Sequence, residues 1–182
     1  MIQEVAKITF KRFSDERSAI EADPNLLKVI VREELMPYVN YKYSAYKVIG
    51  SNLKNTSDAE RKAFVPIFLD YLVTSYAQVF TLYNNQEIKF EESKTIGKKQ
   101  KILAVRTVIL EPGRPPINIA FKVRKNKKTK EWKAFDMVAE GVSLLDSKQA
   151  ELSSLIRKNG LPHVTELLRE KSARNITFKK LG

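Results

Sequence analysis

The chain has 182 residues, with 33 Lys and Arg against 21 Asp and Glu, giving a formal net charge of +12 at pH 7. It has no Cys and a single His, which excludes disulfides, thiolate chemistry and metal ligation by His and Cys. With 43% hydrophobic and 30% charged residues it reads as one folded domain spanning 1–182, and its charge favours anionic partners without choosing among nucleic acid, membrane and acidic protein.

The opening Met1-Ile2-Gln3-Glu4 carries neither the basic start nor the apolar stretch of a signal peptide. That fits a cytosolic protein, or a mature chain with an added initiator Met1. No uninterrupted apolar run approaches the roughly 18 residues that span a bilayer, so the chain reads as soluble. Residues 2–20 place Ile2, Val5, Ile8 and Phe13 among charges, as an amphipathic helix does. Asp23-Pro24 starts a second helix, since Asp caps free amides and Pro suits a first turn. That helix carries Leu26, Leu27, Ile30, Val31 and Leu35, and Pro37 closes it. A third segment, 38–50, holds Tyr38, Tyr41, Tyr43 and Tyr46 and ends at Gly50. Ser57-Asp58-Ala59-Glu60 has the form of a capping box and begins the longest helix, 58–83, with a kink expected at Pro66.

Past residue 86 the period changes. Ile88 and Phe90 mark a short strand, and 101–110 is a β-rich run. The turn Glu111-Pro112-Gly113-Arg114-Pro115-Pro116 bars helix. Ile117, Ile119, Phe121 and Val123 then alternate with Asn118, Ala120, Lys122 and Arg124, the mark of a half-buried strand. Asn126 to Lys130 is a charged hairpin tip, and Glu131 to Val138 is a fourth strand. Two helices follow, 146–159 ending at Gly160 and 162–172 starting with Pro162. Short links between strands predict an antiparallel meander with helices on one face. The fold class is α+β.

Enzyme signatures are sparse. There is no Gly-rich phosphate loop, and His163 follows Pro162 at a helix start, where a surface or capping role is expected. Asp136 reads two ways: a desolvated base in a sheet-lined cavity, or a structural carboxylate near its strand end. The stretch from Lys122 to Lys130 is either a solvated hairpin tip or an anion-binding patch. It lacks the interleaved aromatics of nucleic-acid readers, and anionic lipid is an equally good target. The long helix is apolar around most of its circumference, with Phe64, Phe68, Tyr71, Leu72, Tyr76, Val79, Phe80 and Tyr83. Such a helix is either deep in a core or has one face on a ligand cavity.

With these segments placed, the chain closely resembles the MlaC family of periplasmic phospholipid-binding proteins. The resemblance is carried by Glu34-Leu35-Met36-Pro37-Tyr38-Val39, the stretch 63–83, and Arg114-Pro115-Pro116-Ile117 leading into Phe121-Lys122-Val123-Arg124-Lys125. Most specific is Trp132-Lys133-Ala134-Phe135-Asp136-Met137-Val138-Ala139-Glu140-Gly141-Val142-Ser143-Leu144-Leu145, followed by Lys148-Gln149. The strongly basic balance is outside the family pattern. The resemblance implies a curved four-stranded antiparallel sheet with helices around it, a nuclear-transport-factor-like cone holding an apolar cavity. It implies a non-enzymatic periplasmic shuttle, a mature monomer whose signal peptide is absent. Such a shuttle carries phospholipid between an outer-membrane MlaA-type complex and an inner-membrane ABC transporter containing MlaD, preserving outer-membrane lipid asymmetry. Phospholipid is then the bound ligand, with no cofactor, metal or nucleic acid. The implied cavity lies between the concave sheet face and the long helix. Its candidate lining is Val105, Ile119, Phe121 and Val138 from strands and Leu72, Tyr76, Val79 and Phe80 from the helix, with Tyr43 and Tyr46 at the mouth. The alternative is a small-ligand binder or enzyme on the same cone, and charge alone suggests a nucleic-acid-binding domain.

Overall fold

The first residues form α1 (Ile2–Asp15), which buries Val5, Thr9 and Phe13 along one face, and α2 (Arg17–Ala22), which buries Ile20. The helix expected over 2–20 is therefore split, because Glu16 leaves helical geometry (φ −99°, ψ 16°). This is a computed structural model, and it describes residues 1–83, 86–91 and 100–178. Asp23 opens the next turn by accepting the Asn25 amide at 3.0 Å. α3 (Leu26–Ile30) then widens into a π turn over Val31–Leu35 and tightens into a 3₁₀ turn over Met36–Tyr38, where Pro37 cannot continue the ladder. α4 (Tyr41–Ile49) is capped by Asn40, whose Oδ1 accepts from the Tyr43 amide at 3.2 Å.

α5 (Asp58–Phe80) begins at the expected capping box. Ser57 Oγ accepts the Glu60 amide at 3.1 Å, and Glu60 Oε2 accepts the Ser57 amide at 2.6 Å. It runs through Pro66 as one helix. By length and composition (mean hydropathy 1.3) it is long and apolar enough to cross a membrane, which amends the sequence reading. Here it is the central helix, packed by α3, α4 and α6.

The sheet has the order β1 (Glu87–Phe90), β2 (Ile102–Leu110), β3 (Ile117–Lys125), β4 (Trp132–Ala139) and β5 (Val142–Ser143), every neighbouring pair antiparallel. Among the described residues there are five strands where four were expected. The extra one is two residues long and follows the tight turn Glu140-Gly141, both at positive φ (47° and 80°), the geometry that reverses a chain in two residues. α6 (Leu144–Ser172) starts at Ser143, whose Oγ accepts the Asp146 amide at 3.0 Å. It is interrupted at Gly160 (φ 83°, ψ 162°), so the two helices expected on either side are present with a sharp joint. An added Cβ at Gly160 would meet nothing closer than Pro162 Cδ at 3.6 Å, so the obstacle to a side chain is the backbone angle alone. Gly160→Ala should therefore cost about 1–3 kcal/mol in denaturant unfolding; no shift in midpoint would show that the joint relaxes freely.

The core divides into two clusters. One joins Ala45, Val48 and Ile49 of α4, Phe64 and Phe68 of α5, Phe135 of β4, and Leu152, Ile156 and Leu168 of α6. The other joins Phe13, Ile20, Leu27, Ile30 and Met36 to Val73 and Ala77 of α5, with Ile176 closing it. α1 is further held to the π turn by Arg12, which donates to Glu33 at 2.6 Å and Glu34 at 2.8 Å.

Candidate functional site

Antiparallel pairing puts directly opposed residues on one side of a sheet. The register Leu103↔Val123, Val105↔Phe121, Thr107↔Ile119 and Ile109↔Ile117 gathers these side chains on one face. Phe121↔Met137 and Ile119↔Ala139 extend it across β4, and Ile88↔Ile109 and Phe90↔Thr107 across β1. Thr107 is the one polar member, and it is buried, its Oγ1 donating to the Ile119 carbonyl at 3.3 Å. The opposite face carries Arg106, Lys122 and Asp136. Most of the apolar face is only half-buried. Among the described residues the closest helix–sheet approaches are those of α4 and α6 to β4 and of α6 to β5.

A second half-covered apolar surface runs along α5. Val65, Leu72, Tyr76 and Val79 follow one another by seven, four and three residues, a single helical stripe. It lies between a face buried in the first core cluster and one buried in the second. Every member keeps accessible surface, half-exposed in the case of Val79, and only 28% of the most apolar stretch of α5 is buried.

Tyr76 ties the stripe to the sheet. Burial pushes its phenol up to about 12, and the negative charge of Asp136 on β4 adds to the effect. The ring is thus deep among protein atoms, near β4, while still touching open space. Because the folded state holds this proton more tightly than the unfolded one, the stability it confers is complete below pH 10 and lost as pH rises towards 12. Tyr76→Phe should flatten the fall in unfolding midpoint between those pH values; an unchanged alkaline slope would locate the titration elsewhere.

The structure brings Val105, Ile119 and Phe121 together on the apolar sheet face, and Leu72, Tyr76 and Val79 onto the stripe. Val79 also borders a cleft of about 530 Å³ running along α5, shared with Tyr71, Ser75, Gln78, Leu82 and Lys171. Val138 departs from the grouping made on sequence. It pairs with Ala120, one residue out of phase with Phe121, and lies on the charged face. Phe80 likewise turns into the second core, with its ring 4.9 Å from that of Phe13 and 5.9 Å from that of Phe10. Tyr43 sits edge-on to Phe135 at 5.2 Å with the Arg124 guanidinium 4.4 Å from its ring, and Tyr46 packs on the first cluster. Tyr43 is thus at the junction of α4 with β4. Sequence reading passed over Leu103, Ile109 and Met137 on the apolar face, and Val65 on the stripe. The pairing parity finds the strand residues, but only once the register is known.

Asp136 is engaged as a structural group. Its carboxylate accepts from Lys122 Nζ at 2.8 Å, Ser143 Oγ at 2.7 Å and the Leu145 amide at 3.1 Å, and its side chain is 2% exposed. His163 is exposed on α6. Among the described residues no group of three or more His, Asp or Glu is placed to hold a metal.

Comparison with known proteins adds three likenesses. The family model described as MlaC protein matches residues 3–170. The intermembrane phospholipid transport system binding protein MlaC of Haemophilus influenzae is 35% identical over 180 residues, covering 99% of this chain and 84% of that protein. A phospholipid-binding protein from Ralstonia solanacearum, solved in complex with a phospholipid, superposes with a TM-score of 0.80 over 94% of both chains. At 16% identity the last likeness speaks to the fold alone.

Proposed function

Since this chain belongs to the MlaC family, we propose that it binds phospholipid acyl chains between the apolar face of β2, β3 and β4 and the α5 stripe. It holds them without catalysis, metal or cofactor, as a soluble carrier in the periplasm. It passes them between an outer-membrane MlaA-type complex and an inner-membrane transporter containing MlaD, and so serves outer-membrane lipid asymmetry.

The observation that carries this reading is the apolar face of β1–β3, most of whose side chains are only half-buried, beside a central helix whose apolar stripe is also half-covered. Exposed apolar area of that kind marks a binding surface. An acyl chain suits it energetically, because each buried methylene gains roughly 0.8 kcal/mol and about fifteen gain on the order of 12 kcal/mol. Such a ligand needs depth and dryness rather than directed polar groups, and the apolar face offers Thr107 as its one polar member. The same fact weighs against a small-ligand enzyme on this fold, which needs several ionisable groups converging inside. One carboxylate and one amine, Asp136 and Lys122, lie on the other face and bond each other.

Mass spectrometry of the purified chain, native and after organic extraction, tests the proposal. Phospholipid at close to one molecule per chain is expected. A folded chain that is empty, and stays empty after incubation with phospholipid vesicles, would sink it.

A further inference from the structure

The hairpin joining β3 and β4 concentrates positive charge at one end of the sheet. Asn126 to Lys130 are exposed, and the turn is shaped by Asn126, whose Oδ1 accepts from the Lys128 amide at 2.8 Å. Lys127 and Lys128 stand at the tip, Lys130 Nζ donates back across it to the Lys127 carbonyl at 2.7 Å, and Lys101 joins them through the bond from the Lys125 amide to its carbonyl (2.9 Å). Among the described residues none of these lysines has a carboxylate partner, and neither do Lys125 and Lys133 behind them. The nearest acid in sequence, Glu131, accepts instead from Thr129 Oγ1 at 3.0 Å. The opposite end of the sheet differs. There Glu87 pairs with Lys89 at 3.4 Å and Glu111 with Arg114 at 3.4 Å.

The composition of the cluster identifies what it fits. Its leading cations are all lysines, compact point charges on flexible stems, which suit a diffuse anionic surface. Directed recognition of single phosphates or carboxylates favours the rigid fork of arginine. The tip is convex and so meets a plane better than a cleft. Just behind it lie Trp132, partly exposed and 5.9 Å from Lys125 Nζ, and Ile102, half-exposed on the neighbouring strand. An amphipathic ring next to lysines is the arrangement that settles at the headgroup level of a bilayer. We propose that this hairpin end docks the protein transiently on anionic membrane surfaces, bringing the sheet end-on to the headgroups. The inference builds on the carrier reading, because a carrier that loads and unloads at membranes profits from a weak, salt-sensitive hold there.

Flotation with vesicles of phosphatidylcholine, with and without roughly a third phosphatidylglycerol, tests it. The full chain should partition onto the anionic vesicles and not the neutral ones, and high salt should release it. Each lysine near an anionic surface adds about fivefold in affinity. The triple variant Lys127→Ser, Lys128→Ser, Lys130→Ser should therefore bind roughly hundredfold more weakly. A matched variant, Lys7→Ser, Lys54→Ser, Lys158→Ser, removes the same charge from the helices and should lose much less. Equal losses in the two variants would mean that net charge acts rather than the hairpin. Equal binding to both vesicle types would mean that the lysines serve an acidic protein or nothing; either result overturns the proposal. Copurified phospholipid is measured on the same samples. It should stay at the full-chain level in the hairpin variant, so a failed carrier reading appears as an empty protein and a failed docking reading as a loaded one that ignores charge.

Discussion

Val105→Asp should empty the protein of lipid while leaving it folded. Val105 lies in the middle of β2, opposite Phe121, with Leu103 and Thr107 flanking it on the same face. A carboxylate there would have to be desolvated against an acyl chain, and an unpaired buried charge costs several kcal/mol at least. Its cost in the empty protein is small, since the position keeps accessible surface and water can reach it. The penalty therefore falls on the loaded state. At 1.4 kcal/mol per factor of ten, copurified phospholipid should drop at least tenfold by mass spectrometry after extraction, with the far-ultraviolet dichroism of the parent chain. Leu72→Arg makes the same test from the helix side, where the stripe has comparable accessibility. A normally folded Val105→Asp chain that retains its full load would remove the β2 face from the binding surface.

Asp136→Ala should be among the most damaging single changes to stability. The side chain is almost inaccessible and receives three donors from three places in the sequence: Lys122 on β3, Ser143 at the cap of α6, and the Leu145 amide in its first turn. Removing it leaves the Leu145 amide and the Ser143 hydroxyl short of an acceptor and detaches the start of α6 from the sheet. Breaking a buried pair from one side costs about 3–5 kcal/mol, and Lys122 is partly solvated, which favours the lower end. A loss of about 3 kcal/mol in urea or guanidinium unfolding is expected. Asp136→Asn keeps an acceptor for the amide while losing the charge, so it should fall between. A loss below 1 kcal/mol for the alanine variant would show that water replaces the carboxylate, and that the three bonds add little.

Much of this architecture is legible in the sequence where a local signal has a single physical meaning. The Ser57 to Glu60 capping box, the stop at Pro37, the Gly160-Leu161-Pro162 joint and the strand from Ile117 to Val123 all appear as read, though burial along that strand does not alternate. Glu140-Gly141 was equally available as a tight reversal, but the strand it introduces is too short to show any alternation. The misplaced Val138 has a different cause. Alternation within a strand says which residues share a face, but matching the faces of two strands needs the register, and β3 and β4 are joined by a loop whose length does not fix it. An irregularity between Lys122 and Val123, opposite Ala134 to Asp136, shifts the phase again. Phe80 was drawn from the correct helix, but choosing among the faces of a helix apolar all round requires knowing that α1 occupies one of them. The half-covered stripe and the apolar sheet face are likewise visible only once packing shows what is left over.

The division of the core around α5 also bears on the timescale of motion. α1, α2 and α3 rest on the second cluster, whereas α4, α6 and Phe135 rest on the first, and α5 alone contributes heavily to both. Cooperative units of this sort open separately, at free energies below that of global unfolding. In native-state hydrogen exchange the amides of α1 and α2 should exchange through a cheaper opening than those of α4 and the outer half of α6. Uniform protection across all helices would mean that the clusters melt as one. If they do not, the amino-terminal helices can swing from α5 while the rest of the molecule stays closed, and slow amide exchange becomes a direct readout of how an occupant gets in and out.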